Sequence, residues 1–498
     1  MNRTEVNKNN LKEKTFEGLF WSMNSKFTMQ LFNLVITAIL ARLLLPKDFG
    51  LVGMSLIIIG LVSLINESGL ATAIVQRKDL EELHLSTAFW SNIATGILLY
   101  IGTFYFSPFI ASFFKIDTVE IIIKVAAISF LISSITIVHR SLLSRNLQFK
   151  TIAKTEIAGS LISGTFALYL ALSGFGFWSL VAKNLMNDLI VVSLTLIIYP
   201  WKPTFEFSRE KFNDLFGFGA NVIGGNMLNY FRQNMDYIII GRIMGAELLG
   251  YYTLAYTLAV FPAVKIIPVI TRVVFPAFSL LQDDNIRFRK GYMKLVSALS
   301  FFIMPALIGL AMVAPELIIK VYGDKWEATI LPLQILCILG LVEATSHTTK
   351  SVFYAKGLPG MELKLNAAKI IVSTCVIILG SYYGIVGVAI ALSLISLFYF
   401  SITQQIVNKI IQLTWKEYAS CIREFLFASL FMGSFLSIYK YWAYSTNMFD
   451  EMVILISSIG IGILVYSIII WKLKPEYLKI GKKTLDNMVL NKLKSIIK

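Results

Sequence analysis

The 498-residue chain is 56% hydrophobic and only 15% charged, against roughly 45–50% and 25% in an average soluble protein. With a mean hydropathy of +0.70, this composition excludes an ordinary soluble domain and leaves a polytopic membrane protein, whose spans of about 20–25 residues absorb most of the chain. The 45 Lys+Arg against 30 Asp+Glu give a net +15, but the basic residues sit in short loops between apolar runs. They therefore act as topology signals and do not mark a nucleic-acid partner.

In chain order, a polar cytoplasmic segment over 1–16 precedes fourteen predicted helices, beginning near residues 17, 49, 87, 119, 150, 177, 211, 249, 294, 328, 361, 385, 421 and 450. The first apolar run contains Lys26 and lacks a small-residue cleavage pattern, so it reads as a retained span and not as a signal peptide. Alternate loops carry Arg77 and Lys78, Arg145 and Lys150, Lys202, Arg209 and Lys211, Arg287, Arg289 and Lys290, Lys356, and Lys409 and Lys416. The opposite loops hold little beyond Lys47, Lys115, Arg242, Lys325 and Lys440. That asymmetry predicts both termini in the cytoplasm, with the basic tail 473–498 along the anionic inner leaflet.

An internal repeat organises the chain. The segment Ala41-Arg42-Leu43-Leu44-Leu45-Pro46-Lys47-Asp48-Phe49-Gly50 is echoed by Gly241-Arg242-Ile243-Met244-Gly245-Ala246-Glu247-Leu248-Leu249-Gly250, with arginine and glycine recurring at an offset of 200. Ser22, Lys26, Gln30, Asn33 and Thr37 form a polar stripe at helical spacing, and the same offset maps it near Asn226, Tyr230, Gln233 and Tyr237. A weaker echo relates Arg145-Asn146-Leu147 and Gly174–Gly176 to Lys356-Gly357-Leu358 and Gly384–Gly387. The expected fold is an all-α membrane protein of two pseudo-symmetric six-helix lobes in parallel topology, 17–200 and 211–408. A loop over 201–210 joins the lobes, and two further helices over 409–472 complete the set.

Charges within spans are costly and by default mark functional interiors. The cations in spans are Lys26, Lys154, Lys183, Arg232, Lys265, Arg272, Lys364 and Lys369. Lys26 and Arg232 lie on the polar stripes, and Lys265 and Arg272 are seven residues apart on one helix face. These four, with Gln30, Asn33, Asn226 and Gln233, form the expected substrate cavity, suited to a diphosphate whose oxygens several cations can share. Lys154, Lys183, Lys364 and Lys369 read as side chains snorkelling from helix ends.

Among the carboxylates Glu67, Glu156, Asp188, Asp236 and Glu343, Glu67 and Asp236 are the candidate coupling groups for protons or sodium. Asp236 is also placed to pair with Arg232 four residues earlier. Pro262, Pro268 and Pro276 in helix 8 and Gly53, Gly60 and Gly69 in helix 2 mark helices that can bend.

Enzyme signatures are sparse. His84, His139 and His347 are far apart, and H-E-x-x-H, G-x-x-x-x-G-K-[ST] and G-x-S-x-G are absent. Cys337, Cys375 and Cys421 are odd in number and embedded in apolar sequence, so they predict packing and neither a disulfide framework nor a metal site. Asp283-Asp284 reads as a solvated loop. The expectation is a transporter and not an enzyme, with no cofactor and no metal, driven by ion gradients, membrane potential or consumption of its product.

Three segments then carry a resemblance: Ala41 to Gly50, Asn66-Glu67-Ser68-Gly69-Leu70 through Gln76-Arg77-Lys78, and Ser86-Thr87-Ala88-Phe89-Trp90. The sequence resembles the polysaccharide-transport branch of the MOP flippase superfamily, in particular the Wzx-type colanic-acid and teichuronic-acid exporter group. The resemblance implies a V-shaped two-lobe fold in the bacterial cytoplasmic membrane. It further implies flipping of undecaprenyl-diphosphate-linked oligosaccharide by alternating access, through a portal of helices 1, 2, 7 and 8, in a system that also contains polysaccharide polymerase machinery. Two alternatives stand beside it. A MATE-type ion-coupled drug or metabolite exporter predicts a carboxylate-dominated cavity, and a membrane glycosyltransferase or polymerase predicts larger loops than this chain has.

Overall fold

Inside a bilayer no water satisfies backbone N–H and C=O groups, so a crossing chain closes those bonds within each segment as helix. The computed structural model describes residues 28–77, 79–263, 267, 278–446 and 449–473, apart from the side chains of 67–69 and 216–223, and has no strand among them. The elements are α1 (Thr28–Leu43), α2 (Pro46–Gln76), α3 (Glu82–Phe114), α4 (Thr118–Ala126), α5 (Ile128–Ser134), α6 (Ile137–Arg145), α7 (Phe149–Leu172), α8 (Trp178–Ile198) and α9 (Arg209–Phe261). After a stretch mostly outside the described residues come α10 (Asn285–Leu317), α11 (Ile330–Ala355), α12 (Pro359–Ser381), α13 (Gly384–Ile411), α14 (Trp415–Thr446) and α15 (Glu451–Leu473).

Among the described residues, eleven helices are long and apolar enough to cross a membrane, and twelve if α4–α6 count as one bent span. The short α1 adds to these, and Gly245, at φ 86° and ψ −177°, turns α9 into two arms. The described helices are therefore consistent with the fourteen expected. Large apolar side chains such as Phe109, Leu172 and Ile197 are more than 70% exposed, as a lipid-facing surface requires.

The bend within the fourth predicted span has no proline. It lies between Ser134 and Ile137, at 47°, where Ser134 Oγ donates to Leu131 O at 2.8 Å and Thr136 Oγ1 to Ser133 O at 3.4 Å. Hydroxyls that bond back to the preceding turn compete with the helix ladder and bend it.

The described chain forms two compact units that divide between Thr253 and Leu254. In the first unit the repeat becomes a packing device. A Cβ on Gly50 would lie 1.6 Å from Ala246 O, and a Cβ on Gly250 would lie 1.9 Å from Pro46 O. Residues 46 and 246, like 50 and 250, correspond at the offset of 200, so the contact is exchanged between equivalents, as a local two-fold demands. Only glycine lets the α2 and second-arm α9 backbones approach this closely. Gly60 does similar work: its missing Cβ leaves room for Tyr230, whose hydroxyl donates to Ile57 O at 2.8 Å.

The segment between α8 and α9 is strapped to the end of α3. Trp201 Nε1 donates to Glu82 Oε1 at 2.5 Å, Thr204 N to Ser86 Oγ at 2.9 Å, Ser208 N to Thr87 Oγ1 at 3.1 Å, and Trp90 Nε1 to Thr204 O at 2.9 Å. The ion pairs Lys211–Glu81 at 3.0 Å and Arg77–Asp214 at 2.9 Å extend the strap. Lys211 holds the Glu81 carboxyl below its ordinary value, chiefly by its hydrogen bond.

In the second unit, Glu316 on α10 is only 2% exposed. It meets Lys440 Nζ at 2.7 Å and accepts from Tyr444 Oη at 2.6 Å, tying α14 to α10. A cluster of Met304, Phe425, Ala428, Met432, Leu436, Tyr466 and Ile470 packs α10, α14 and α15 together. Asp284 caps α10, accepting from Arg287 N at 3.0 Å, which gives the second residue of the Asp283-Asp284 pair a structural role.

Candidate substrate cavity

Of the four expected cavity cations, Lys26, Lys265 and Arg272 lie outside the described residues, as does the side chain of Glu67. Arg232 is half-buried and donates to Asn229 Oδ1 at 3.3 Å, one turn earlier on α9. The expected Arg232–Asp236 pair is not formed. Asp236 instead turns to the second arm of α9, where it is buried and accepts from Tyr252 Oη at 2.6 Å. Burial makes the neutral hydroxyl a cheaper partner than a half-exposed guanidinium. Asn226 and Gln233 are exposed, and Gln30 is half-buried.

Asn33 lines a cavity of about 760 Å³ inside the first unit. Five parts of the fold build its wall: α1 with Met29 and Asn33, α2 with Thr72 and Val75, the bent α5–α6 with Ser133 to Ser144, α7 with Glu156, Ser160 and Ser163, and α8 with Lys183 to Val192. On α8 the lining residues Lys183, Asn184, Asn187, Asp188 and Val191 recur at helical spacing and form one polar face. The hydroxyl-induced bend between α5 and α6 turns Thr136 and Arg140 toward this space.

Among the described residues, four ionisable side chains line the cavity. Arg140 Nη2 meets Glu156 Oε1 at 2.5 Å, a neutralising pair between α6 and α7. Asp188 accepts from the Ser129 hydroxyl and is hydrogen-bonded by Asn187. Lys183 is half-buried and has no ion pair or hydrogen bond among the described residues. Ser160 is 7% exposed, and its Oγ has no hydrogen-bond partner.

Lys183 therefore lines an interior polar space, contrary to its expected snorkelling. Lys369, also expected to snorkel, pairs with Glu343 at 2.7 Å and lies 4.8 Å from the Tyr399 ring, whereas Lys154 and Lys364 are exposed. Sequence reasoning named Lys183, Glu156 and Asp188 separately and passed over Arg140 and Ser160. The run Lys183-Asn184 with Asn187-Asp188 was the signal available, since four polar residues on one face of an apolar helix need an interior to meet. No group of three or more His, Cys, Asp or Glu could hold a metal ion among the described residues.

The family model described as polysaccharide biosynthesis protein matches residues 39–331. The chain is 30% identical over 394 residues to the lipopolysaccharide biosynthesis protein WzxC of Escherichia coli, covering 78% of this chain and 79% of that one. It is 31% identical to the teichuronic acid biosynthesis protein TuaB of Bacillus subtilis, covering 70% and 72%. Among solved structures, the lipid II flippase MurJ in an inward closed conformation superposes with a TM-score of 0.71 at 16% identity, covering 94% of this chain and 99% of that one. An inward-facing MATE multidrug transporter of the MOP superfamily superposes at 0.57, covering 79% and 98%. At those identities the likeness is one of fold, and it matches the all-α multi-pass architecture. With most of its length aligned to two such relatives, the chain belongs to the polysaccharide biosynthesis protein family of membrane transporters.

Proposed function

We propose that the protein is a flippase that carries polyprenyl-diphosphate-linked oligosaccharide across the bacterial cytoplasmic membrane for surface polysaccharide synthesis. The observation that carries this reading is the alignment over more than three quarters of both chains with a lipopolysaccharide biosynthesis protein. The fold shared with a lipid II flippase supports it. In this reading both termini are cytoplasmic, the lobes 17–200 and 211–408 alternate access, and a polymerase consumes the product outside.

Lys26, Arg232, Lys265 and Arg272 grip the diphosphate, while Gln30, Asn33, Asn226 and Gln233 contact sugar and Glu67 and Asp236 serve coupling. The cationic bias of the spans argues against a MATE-type exporter of cationic drugs.

Deleting the gene in its host and analysing lipid-linked oligosaccharide on each side of the membrane tests the reading. Loss of surface polymer with complete units trapped on the cytoplasmic face is the expected result. Normal polymer with altered sensitivity to cationic drugs contradicts it and favours the exporter.

A further inference from the structure

The strap that ties the segment between α8 and α9 to α3 leaves two large rings on its outside. Trp201 and Trp90 use their indole N–H groups within the strap, donating to Glu82 Oε1 and Thr204 O. The backbone N–H groups of Thr204 and Ser208 are fixed by the hydroxyls of Ser86 and Thr87. Between those two fixed positions Phe205 is 92% exposed and Phe207 is 58% exposed. The Phe205 ring stands 5.3 Å from the Trp90 ring, and the Phe207 ring 6.3 Å from that of Phe212, centroid to centroid. The result is a short aromatic row on pinned backbone, and a phenylalanine ring, unlike that of tyrosine or tryptophan, has no polar handle for water.

The depth of this row follows from α3. Ile97, Leu98, Tyr105, Phe109 and Phe113 are exposed along it and mark the length that faces lipid. A helix crosses the hydrocarbon in about 20 residues, so counting back from Phe113 puts the other edge of the hydrocarbon near Ala94. Trp90 is four residues further, about 6 Å along the helix, in the headgroup layer where aromatic rings collect. The end of α8 leads into the same layer: Ile197 and Ile198, in its last turn, are exposed, and the apolar surface continues from them onto Phe205 and Phe207. Lys202 and Arg209 flank the rings and are exposed, as cations that reach phosphate from an apolar stem must be.

We infer that Phe205 and Phe207 insert into the headgroup layer of the bilayer, on the side that the basic loops mark as cytoplasmic, and that the 201–210 segment is a membrane-binding element whose partner is the phospholipid surface. The two cations Lys202 and Arg209 are balanced by the two carboxylates Glu206 and Glu210. Buried apolar area and not net charge therefore supplies the attraction, and the contact forms on zwitterionic as well as anionic lipid. The strap fixes the backbone before the rings meet the membrane, so little conformational freedom is lost on insertion.

The test uses the full chain with Cys337→Ala, Cys375→Ala and Cys421→Ala, to which Phe205→Cys or Phe207→Cys is added, labelled with a polarity-sensitive dye and reconstituted into phosphatidylcholine vesicles. At both positions the dye emission is expected to shift to the blue of the same dye in water. It should be quenched strongly by phosphatidylcholine with a nitroxide high on its acyl chain and weakly by aqueous iodide, and replacing part of the lipid with phosphatidylglycerol should leave this pattern unchanged. Emission as in water with strong iodide quenching, or a lipid contact that appears only with phosphatidylglycerol, would overturn the assignment. A second measurement keeps the three native cysteines: p-benzoylphenylalanine in place of Phe205 is irradiated in host membranes, and the adduct is identified by mass spectrometry. A phospholipid adduct is the expected result, whereas an adduct to another protein or none at all would contradict it. Both readouts report contact with lipid and not transport, so the flippase reading and this one can fail independently.

Discussion

At the scale of single residues, buried charge in this protein is paired where it is structural. Glu316 is 2% exposed and has both Lys440 and Tyr444 as partners. Removing one partner of such a pair leaves the other charge uncompensated, at a cost of about 3–5 kcal/mol. Glu316→Ala should therefore lower the melting temperature in detergent sharply, while the paired change Glu316→Leu with Lys440→Met should recover most of it. Equal destabilisation by the single and paired variants would contradict the pairing argument.

Glu81 shows the same logic at the surface. Its folded carboxyl is held below the reference value of 4.5, first by the hydrogen bond from Lys211. A depressed carboxyl contributes stability that is present above the unfolded value and lost as pH falls through the folded one. Wild type should consequently melt above Glu81→Gln at pH 7, and the gap should close as pH falls below 4.5 and on through the lowered folded value. A gap that stayed constant into acid would rule out this contact as its origin.

At the scale of elements, the stretches that identify the family hold the fold together. Gly50, at the end of the Ala41–Gly50 segment, makes the exchanged glycine contact with Ala246. Asn66 Nδ2 donates to Ser133 Oγ at 3.2 Å, joining α2 to α5, and Ser86, Thr87 and Trp90 hold the strap. Gly50→Ala and Gly250→Ala each force backbone apart, so each should cost about 1–3 kcal/mol, the usual penalty of overpacking, measured as a fall in melting temperature. Either variant matching wild type would show that the two backbones separate freely. Ser86→Ala combined with Thr87→Val should free the 201–210 segment, and trypsin should then cut after Arg209 faster than in wild type.

Element existence was legible because hydropathy and helical spacing are local properties of the chain, and the repeat was legible because Arg42 and Arg242, like Gly50 and Gly250, recur at one offset. The break after Ser134 was not, since Ser133, Ser134 and Thr136 are tolerated in straight helices and bend one only when they bond back to it. Lys183 illustrates the same limit for the site. Its sequence neighbours place it on a helix face, but only the packing of five segments decides whether that face meets lipid or an interior. Arg232 and Asp236, four residues apart, suggested a pair that Tyr252 pre-empts from the second arm of α9.

At the scale of the whole molecule, a chain of apolar helices with a cationic excess, a glycine-latched repeat and a shared fold with a lipid II flippase is suited to moving an amphipathic anion across the membrane. The most direct measurement is transport itself. Purified protein is reconstituted into vesicles whose two leaflets contain a fluorescent polyprenyl-diphosphate-linked oligosaccharide, and an impermeant quencher of the dye is added outside. The account predicts that the fraction protected in the inner leaflet falls with time when the protein is present, and that Arg232→Gln slows that fall. A protected fraction that stays equal to that of protein-free vesicles, in vesicles holding folded protein, would contradict it.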